Sequence, residues 1–191
     1  TYPITLPMCA PLSDGAAAAI LCTEEGLKRI GADKSRCIKI SASVLRSFSP
    51  RRIDQPELHV GRLAAQQAYE IAGLGPQDMH VAEVHDASAM GEIIQAENLG
   101  LVELGMGGPA AERGDFTIGG RIPINPSGGL ESKGHPIGAT GLGQIHELVT
   151  QLRGEAGARQ VEGARHAIQE NGGGMQGVEE AAVAIHILSK S

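Results

Sequence analysis

The chain has 191 residues, enough for one large domain or most of two, and chains of this size bury roughly 70% of their unfolded surface. Hydrophobic residues make up 41% and charged residues 20%, which is typical of a soluble globular protein. A formal net charge of -6, with only two Tyr, two Phe and no Trp, argues against a nucleic-acid partner, because phosphate-binding charge and base-stacking surface are both scarce.

The first part of the chain is predicted to form a strand, a helix and a second strand. The uncharged run A-A-A-A-I-L-C at residues 16–22 follows a Ser-Asp-Gly turn and predicts a strand buried on both faces. Thr23 is typical of a helix N-cap and precedes two acidic residues, so a helix is expected over residues 24–30. Residues 37–44 alternate apolar and polar side chains, which predicts the second strand.

The middle of the chain alternates between helix and strand signals. Apolar residues recur at helical spacing over residues 60–72, just before two glycines and a proline. A short strand is predicted at residues 81–84 and a helix at residues 90–97. Residues 105–120 are rich in glycine and are predicted to form a loop.

The last part begins with a glycine- and proline-rich loop that opens into a helix, within residues 124–144. Two strands, at residues 166–171 and 181–188, are predicted to close the fold on either side of a glycine turn at residues 172–174. Apolar strands that alternate with helices favour an α/β fold in which helices cover the sheet in layers.

Neither the cysteines nor the apolar runs indicate a disulfide scaffold or a membrane protein. Cys9, Cys22 and Cys37 are odd in number, widely spaced and without a C-x-x-C pair, which favours reduced thiols and no zinc site. The longest apolar run, residues 181–188, is too short to span a bilayer. We therefore expect a cytoplasmic protein with no membrane span, no bound metal and no permanent cofactor.

His135 is the strongest candidate for a catalytic residue. Gly134 lets other groups approach the backbone, Pro136 fixes the next φ angle, and small residues then lead into a helix start that offers unpaired N–H groups. An imidazole can accept a proton from a thiol or donate a hydrogen bond to a developing oxyanion, because its pKa lies near neutral pH.

Four stretches of the chain carry specific motifs. The longest is N-P-S-G-G-L-E-S-K-G-H-P-I-G-A-T-G-L-G-Q at residues 125–144. The others are P-L-S-D-G-A-A-A-A-I-L-C at residues 11–22, V-H-D-A-S at residues 84–88, and the closing strands with their glycine turn. Together they resemble the thiolase superfamily, particularly its branch of sterol carrier protein thiolases and related acetyl-CoA acetyltransferases.

The resemblance implies a fold and a division of the chain. It implies a thiolase-like layered α/β/α architecture that is repeated in two halves, each with five strands between helix layers. Residues 1–35 would be the end of the N-terminal half, with a returning strand and a connecting helix, and residues 36–191 would be the C-terminal domain.

The resemblance also implies roles for individual residues. The family's counterpart of His135 activates a nucleophilic cysteine of the N-terminal half and helps to bind the thioester oxygen. The counterpart of His85 positions a water or donates to an oxyanion, although a satisfied buried histidine is an alternative at this position. Gly172, Gly173 and Asn171 lie at the glycine turn, where backbone N–H groups would bind a substrate oxygen.

The chain departs from the family where an acid/base cysteine is usual. Ala87 stands at the cysteine position of the H-D-C-F turn of the sterol carrier branch, while Glu170 and Asn171 precede the glycine turn, where many thiolases carry that cysteine. Glu170 is the candidate replacement for the acid/base group. None of the three cysteines matches the family's nucleophile, which is therefore expected upstream, in a partner polypeptide, or not at all.

These features predict an acyl-CoA acyltransferase that makes or breaks a carbon–carbon bond of a 3-oxoacyl-CoA through a cysteine thioester. The alternatives are a thiolase-like aldolase that acts on a 3-hydroxyacyl-CoA and a non-catalytic acyl-CoA- or lipid-binding protein. Coenzyme A would be a substrate rather than a bound cofactor. The resemblance further implies a homodimer, an N-terminal thiolase half in the same or a separate chain, and a small zinc-ribbon partner with an oligonucleotide-binding-like fold.

Overall fold

The computed structural model describes residues 2–190 and has a mixed α/β architecture. The helices are Glu24–Ile30 (α1), Val60–Ala72 (α2), Ala89–Asn98 (α3), Gly107–Glu112 (α4), Gly129–Lys133 (α5) and Thr140–Arg153 (α6), and the strands are Ile38–Ser47 (β1), Val81–Glu83 (β2), His166–Gly173 (β3) and Ala182–Lys190 (β4).

The four strands form one sheet in the order β1-β4-β3-β2. β1 and β3 both pair antiparallel with β4, whereas β2 pairs parallel with β3. The parallel register places Glu83 opposite Gln169. As a result, the residues that follow β2 lie beside the second half of β3.

The segment before the histidine loop adds only one bridge to the sheet. Ala82 forms a parallel bridge with Ile124, in which the Ala82 N–H donates to the Pro123 carbonyl at 3.0 Å and the Asn125 N–H donates to the Ala82 carbonyl at 2.9 Å. Pro123 and Pro126 have no N–H to donate on either side, which limits the ladder. In the described residues, the sheet therefore has four strands, and a single bridge stands where the resemblance implies a fifth strand.

Helices cover both faces of the sheet, so the predicted α/β layering is confirmed. On one face, Ile168 and Ile185 are buried in an apolar cluster that includes residues of α2 and α3. On the other face, Ala167 lies in a second cluster with Leu148 and Leu152 of α6. Neighbouring strand residues such as Ala167 and Ile168 point to opposite faces, as a pleated strand requires.

The predicted buried strand at residues 16–22 is not formed in the structure. These residues pair with no strand of the described sheet, and the side chains of Ile20 and Leu21 are 90% and 75% exposed. An apolar composition favours a strand only where neighbouring strands supply hydrogen-bond partners, and none of β1 to β4 lies beside this segment. The proposed boundary after residue 35 remains a prediction.

The other predicted elements are present, some with the predicted bounds and some with shifted ends. Thr23 caps α1 by accepting a hydrogen bond from the Gly26 N–H at 3.1 Å, as predicted. The predicted loop at residues 105–120 contains the short helix α4. β3 continues through Gly173, so Gly172 and Gly173 are strand residues rather than turn residues. Among the described residues, no helix has both the length and the apolar character needed to cross a membrane.

Candidate active site

His85 lies in the short connection between β2 and α3. Ser88 begins α3 by accepting a hydrogen bond from the Gly91 N–H at 3.2 Å, so the chain turns sharply just after His85. The His85 N–H donates to Glu170 Oε2 of the neighbouring strand β3 at 2.9 Å. The backbone of His85 is therefore fixed to the sheet, and its ring faces His135.

The N-terminal segment packs against the histidine loop. The His135 N–H donates to the Pro11 carbonyl at 2.9 Å. A side chain at Gly134, where φ is +92°, would begin 2.6 Å from Ser13 Oγ, and one at Gly15 would begin 2.8 Å from the Pro136 ring. The glycines in both motifs are thus required because the two segments approach each other closely.

His85 and His135 form the centre of the site. Their Nε2 atoms are 3.3 Å apart, and their ring centroids are separated by 4.9 Å. Thr140 of α6 donates its hydroxyl hydrogen to the Pro136 carbonyl at 3.2 Å, so its oxygen is the acceptor for His135 Nδ1 at 2.7 Å. This arrangement places the proton of neutral His135 on Nδ1 and leaves a lone pair on Nε2.

Burial favours the neutral form of both imidazoles, because it lowers the pKa of each. Burial lowers the pKa of His85, and the neighbouring His135 lowers it further, while Glu180 and a hydrogen bond with the Gly172 backbone oppose the decrease. Burial also lowers the pKa of His135. A neutral His135 with an unprotonated Nε2 has the form that a general base requires.

Two carboxylates beside β2 hold the histidine loop in place. Asp86 Oδ1 accepts the Leu130 N–H at 2.8 Å at the start of α5, so Asp86 orients the backbone of the histidine loop. A side chain at Gly129, where φ is +60°, would collide with Asp86 Oδ2. Glu83 Oε2 accepts the Ser127 hydroxyl at 2.8 Å. The loop is therefore attached to the same strand end that presents His85.

Glu170 lies behind His85 rather than facing open space. Its side chain is fully buried, and Oε1 has no hydrogen-bond partner. Burial raises the pKa of Glu170 to about 8. The hydrogen bond from the His85 N–H lowers this pKa, whereas the nearby carboxylates of Glu180 and Asp86 raise it. This geometry fits a protonated carboxyl group that supports the His85 backbone, and an acid/base role for Glu170 remains a prediction.

The other predicted site residues lie at the end of β3. The Asn171 Nδ2 donates to Gln144 Oε1 of α6 at 3.1 Å. Gly172 has no room for a side chain, because a Cβ atom there would lie 2.7 Å from Glu180 Cγ and 3.2 Å from Glu170 Oε1. Gly173 is exposed at the end of the strand. The substrate-binding roles of Asn171, Gly172 and Gly173 remain predictions.

The sequence analysis missed several residues that shape this site. Glu180, in the connection between β3 and β4, packs against Gly172; its Oε1 accepts the Gln95 Nε2 hydrogen bond at 2.8 Å and its Oε2 lies 3.3 Å from His59 Nε2. Thr140, by contrast, lies within the histidine motif and stands five residues after His135. The spacing between Thr140 and His135 is a local signal that could have identified Thr140. Glu180 and Gln95 gave no such signal, because only the tertiary fold brings them together.

The backbone around Cys9 pairs with the backbone around Ala87, the residue at the family's cysteine position. Cys9 forms an antiparallel bridge with Ser88, and the next N–H, that of Ala10, donates to the Ala87 carbonyl at 3.0 Å. The Cys9 thiol, however, points to the Thr5 carbonyl at 3.6 Å. Within residues 2–190, no three side chains of His, Cys, Asp or Glu are arranged to hold a metal ion.

Comparison with known proteins gives consistent matches. Residues 48–189 match the family model described as thiolase C-terminal domain-like. Sterol carrier protein 2 of Oryctolagus cuniculus is 47% identical over 174 residues, which cover 88% of this chain and 32% of that protein. The acetyl-CoA acetyltransferase of Methanothermobacter thermautotrophicus is 44% identical over 189 residues, which cover 98% of this chain and 48% of that protein.

A solved structure also matches. That of the Ltp2-ChsH2(DUF35) aldolase aligns with a TM-score of 0.66 at 25% sequence identity and covers 80% of this chain and 39% of that chain. The chain spans between about a third and a half of the length of the relatives given above. Because the family model covers most of the chain and both curated relatives exceed 40% identity, the chain belongs to the thiolase superfamily, in the branch of the sterol carrier protein thiolases.

Proposed function

We propose that this domain supplies the histidine half of an acyl-CoA active site that makes or breaks a carbon–carbon bond through a cysteine thioester. The observation that carries the proposal is the hydrogen bond between His135 Nδ1 and the Thr140 hydroxyl oxygen at 2.7 Å, from which we infer that the Nε2 atom carries the lone pair. The names of the relatives agree with this chemistry, since one of them is an acetyl-CoA acetyltransferase.

In the cleavage direction, His135 Nε2 takes the proton of a cysteine thiol that an N-terminal half provides. The thiolate adds to the 3-oxo carbon, the bond between C2 and C3 breaks, and its electrons form the enolate of the departing acyl-CoA, which is then protonated at C2. A second coenzyme A thiol releases the acyl group from cysteine. Once His135 Nε2 has taken the thiol proton, it can donate a hydrogen bond to a negatively charged oxygen, and the His85 ring, whose Nε2 lies 3.3 Å away, can act as a second donor.

A second candidate is an aldolase that cleaves a 3-hydroxyacyl-CoA without a cysteine. Two observations favour it: Ala87 and Glu170 stand at positions where the thiolase resemblance implies an acid/base cysteine, and the Cys9 thiol bonds to the Thr5 carbonyl. The structural relative with a TM-score of 0.66 is also named an aldolase. A non-catalytic acyl-CoA- or lipid-binding protein is the remaining alternative, since other relatives are named sterol carrier protein 2.

The wider assembly is part of the proposal. An N-terminal thiolase half would lie against the histidine loop, the complete protein would be a homodimer, and coenzyme A would enter as a substrate. A small zinc-ribbon partner is supported only by the DUF35 component in the name of the aldolase structure. A cytoplasmic location remains a prediction.

The experiment that tests the proposal compares two substrates. The protein, assembled with its nucleophile-bearing half, is given a 3-oxoacyl-CoA with coenzyme A and, separately, a 3-hydroxyacyl-CoA alone. Coenzyme A-dependent cleavage of the first substrate supports the thiolase reaction. Cleavage of only the second substrate rejects it in favour of the aldolase, and binding of both without cleavage rejects both reactions in favour of a binding protein.

A further inference from the structure

One face of α6 contacts both sides of the candidate site. Thr140 and Gln144 are four residues apart and therefore lie on the same face of the helix. Thr140 bonds to the His135 ring, and Gln144, which is fully buried, bonds to the Asn171 side chain of β3. Asn171 in turn directly precedes Gly172, whose backbone is hydrogen-bonded to His85.

A backbone carbonyl determines the orientation of the Gln144 amide. The Gln144 Nε2 donates to the Glu170 carbonyl at 3.0 Å, and a carbonyl oxygen can only accept. Gln144 Oε1 must therefore face the other way. There it accepts from Gln169 Nε2 at 2.7 Å and from Asn171 Nδ2 at 3.1 Å.

The same constraint continues to His186 of β4. Because Gln169 uses its NH2 group toward Gln144, its Oε1 faces His186 Nδ1 at 2.6 Å and must accept a hydrogen bond from it. Neutral His186 consequently carries its proton on Nδ1. Rotation of the Gln144 or Gln169 amide would place two donors or two acceptors together in a buried site, which is unfavourable.

We propose that Gln144 is a positioning residue that fixes the side-chain amide of Asn171, the residue before Gly172, as Thr140 fixes the ring of His135. The catalytic part of this inference rests on the proposed function, but the orientation of the amides does not. Without Gln144, the Asn171 side chain would lose its partner in the helix and could rotate. The Nδ2 and Oδ1 atoms of Asn171 would then no longer be fixed.

The first test is spectroscopic and needs no turnover. In the wild-type chain, nitrogen NMR of the histidine rings should show His186 protonated on Nδ1. Gln144→Met should abolish this preference and change the chemical shift of the Asn171 side-chain amide, which loses its acceptor. Gln151→Met is the matched control: Gln151 is also buried on α6, but it bonds to Glu147 and to the Arg159 carbonyl, away from the site. Wild-type His186 protonated on Nε2, or equal spectral effects of the two variants, would overturn the proposal.

The second test is kinetic and uses the protein assembled with its nucleophile-bearing half. Gln144→Met should lower kcat about tenfold with little change in KM, because misplacement of a site group acts mainly on the reaction step. In an Asn171→Ala background the same substitution should have no further effect. Equal additional losses in both backgrounds would contradict a role through Asn171.

Gln144→Asn serves as a milder variant if Gln144→Met does not fold, because its shorter amide cannot reach both the Glu170 carbonyl and Asn171. It should show the same loss of the His186 preference and of kcat, and wild-type behaviour would overturn the proposal. A wild-type protein that cleaves neither acyl-CoA would reject the proposed function. The His186 protonation site would still decide the role of Gln144.

Discussion

Replacement of Thr140 by Val tests how the histidine loop prepares its base. Val has nearly the shape of Thr but lacks the hydroxyl group, so Thr140→Val removes the acceptor for His135 Nδ1 at 2.7 Å and the donor to the Pro136 carbonyl at 3.2 Å. Thr140 is 5% exposed, so water cannot readily replace either partner. Two lost hydrogen bonds should reduce the free energy of unfolding by about 1–3 kcal/mol.

The effect on activity follows from the tautomer of His135. If the Nδ1 hydrogen bond contributes about 1.4 kcal/mol, its loss lowers the ratio of the Nδ1-protonated tautomer of His135 to the Nε2-protonated tautomer by roughly tenfold. Turnover of the acyl-CoA substrate should fall by up to about the same factor, with little change in KM. Initial rates, corrected for the folded fraction, measure this decrease.

Thr150→Val is the matched control. Thr150 lies on the same helix and its hydroxyl also donates to a carbonyl four residues earlier, that of His146, at 2.8 Å, but it touches no site residue. The Thr150→Val variant should lose some stability and retain full turnover. If Thr140→Val and Thr150→Val have the same turnover, then Thr140 does not set the protonation of His135 and the reasoning is refuted.

Two further predictions concern the groups around the histidines. Gly129→Ala should reduce the free energy of unfolding by about 3 kcal/mol or more, because φ is +60° and the new methyl group collides with Asp86. Gly143→Ala in α6 has open space at its Cβ position and should be neutral or stabilising. Equal melting temperatures of the two variants would contradict this prediction. Burial raises the pKa of Glu170 from 4.5 to about 8, so the folded chain keeps a proton that the unfolded chain releases as the pH rises. Glu170→Gln, which cannot ionise, should therefore gain stability relative to wild type between about pH 5 and about pH 8 in urea unfolding, and a pH-independent difference would show that Glu170 is ionised in the fold.

The sequence was sufficient for elements whose signals are local. The helix over residues 60–72 has a complete apolar face and a glycine at its end, and the structure has this helix with the same bounds. The histidine motif likewise placed His135 just before a helix, and the motif at residues 84–88 placed His85 between β2 and α3. Both histidines could be named because the residues that constrain their backbone are neighbours in the chain.

Features that depend on distant partners could not be predicted. The run at residues 16–22 has a strand composition but no neighbouring strand in the described sheet. Glu180 reaches the site because the connection between β3 and β4 folds over Gly172, and nothing in its local sequence indicates this. The contact between Gln144 and Asn171 likewise depends on how α6 crosses the sheet.

Turnover by the His135→Ala variant tests the central claim most directly. The assay follows cleavage of a 3-oxoacyl-CoA by the protein assembled with its nucleophile-bearing half. The control is His146→Ala, which removes an exposed histidine of α6, the helix that follows His135. Loss of a general base predicts a decrease in kcat of about a hundredfold or more for His135→Ala and no change for His146→Ala. Unchanged turnover in the folded His135→Ala variant would contradict the assignment of His135 as the base of this site.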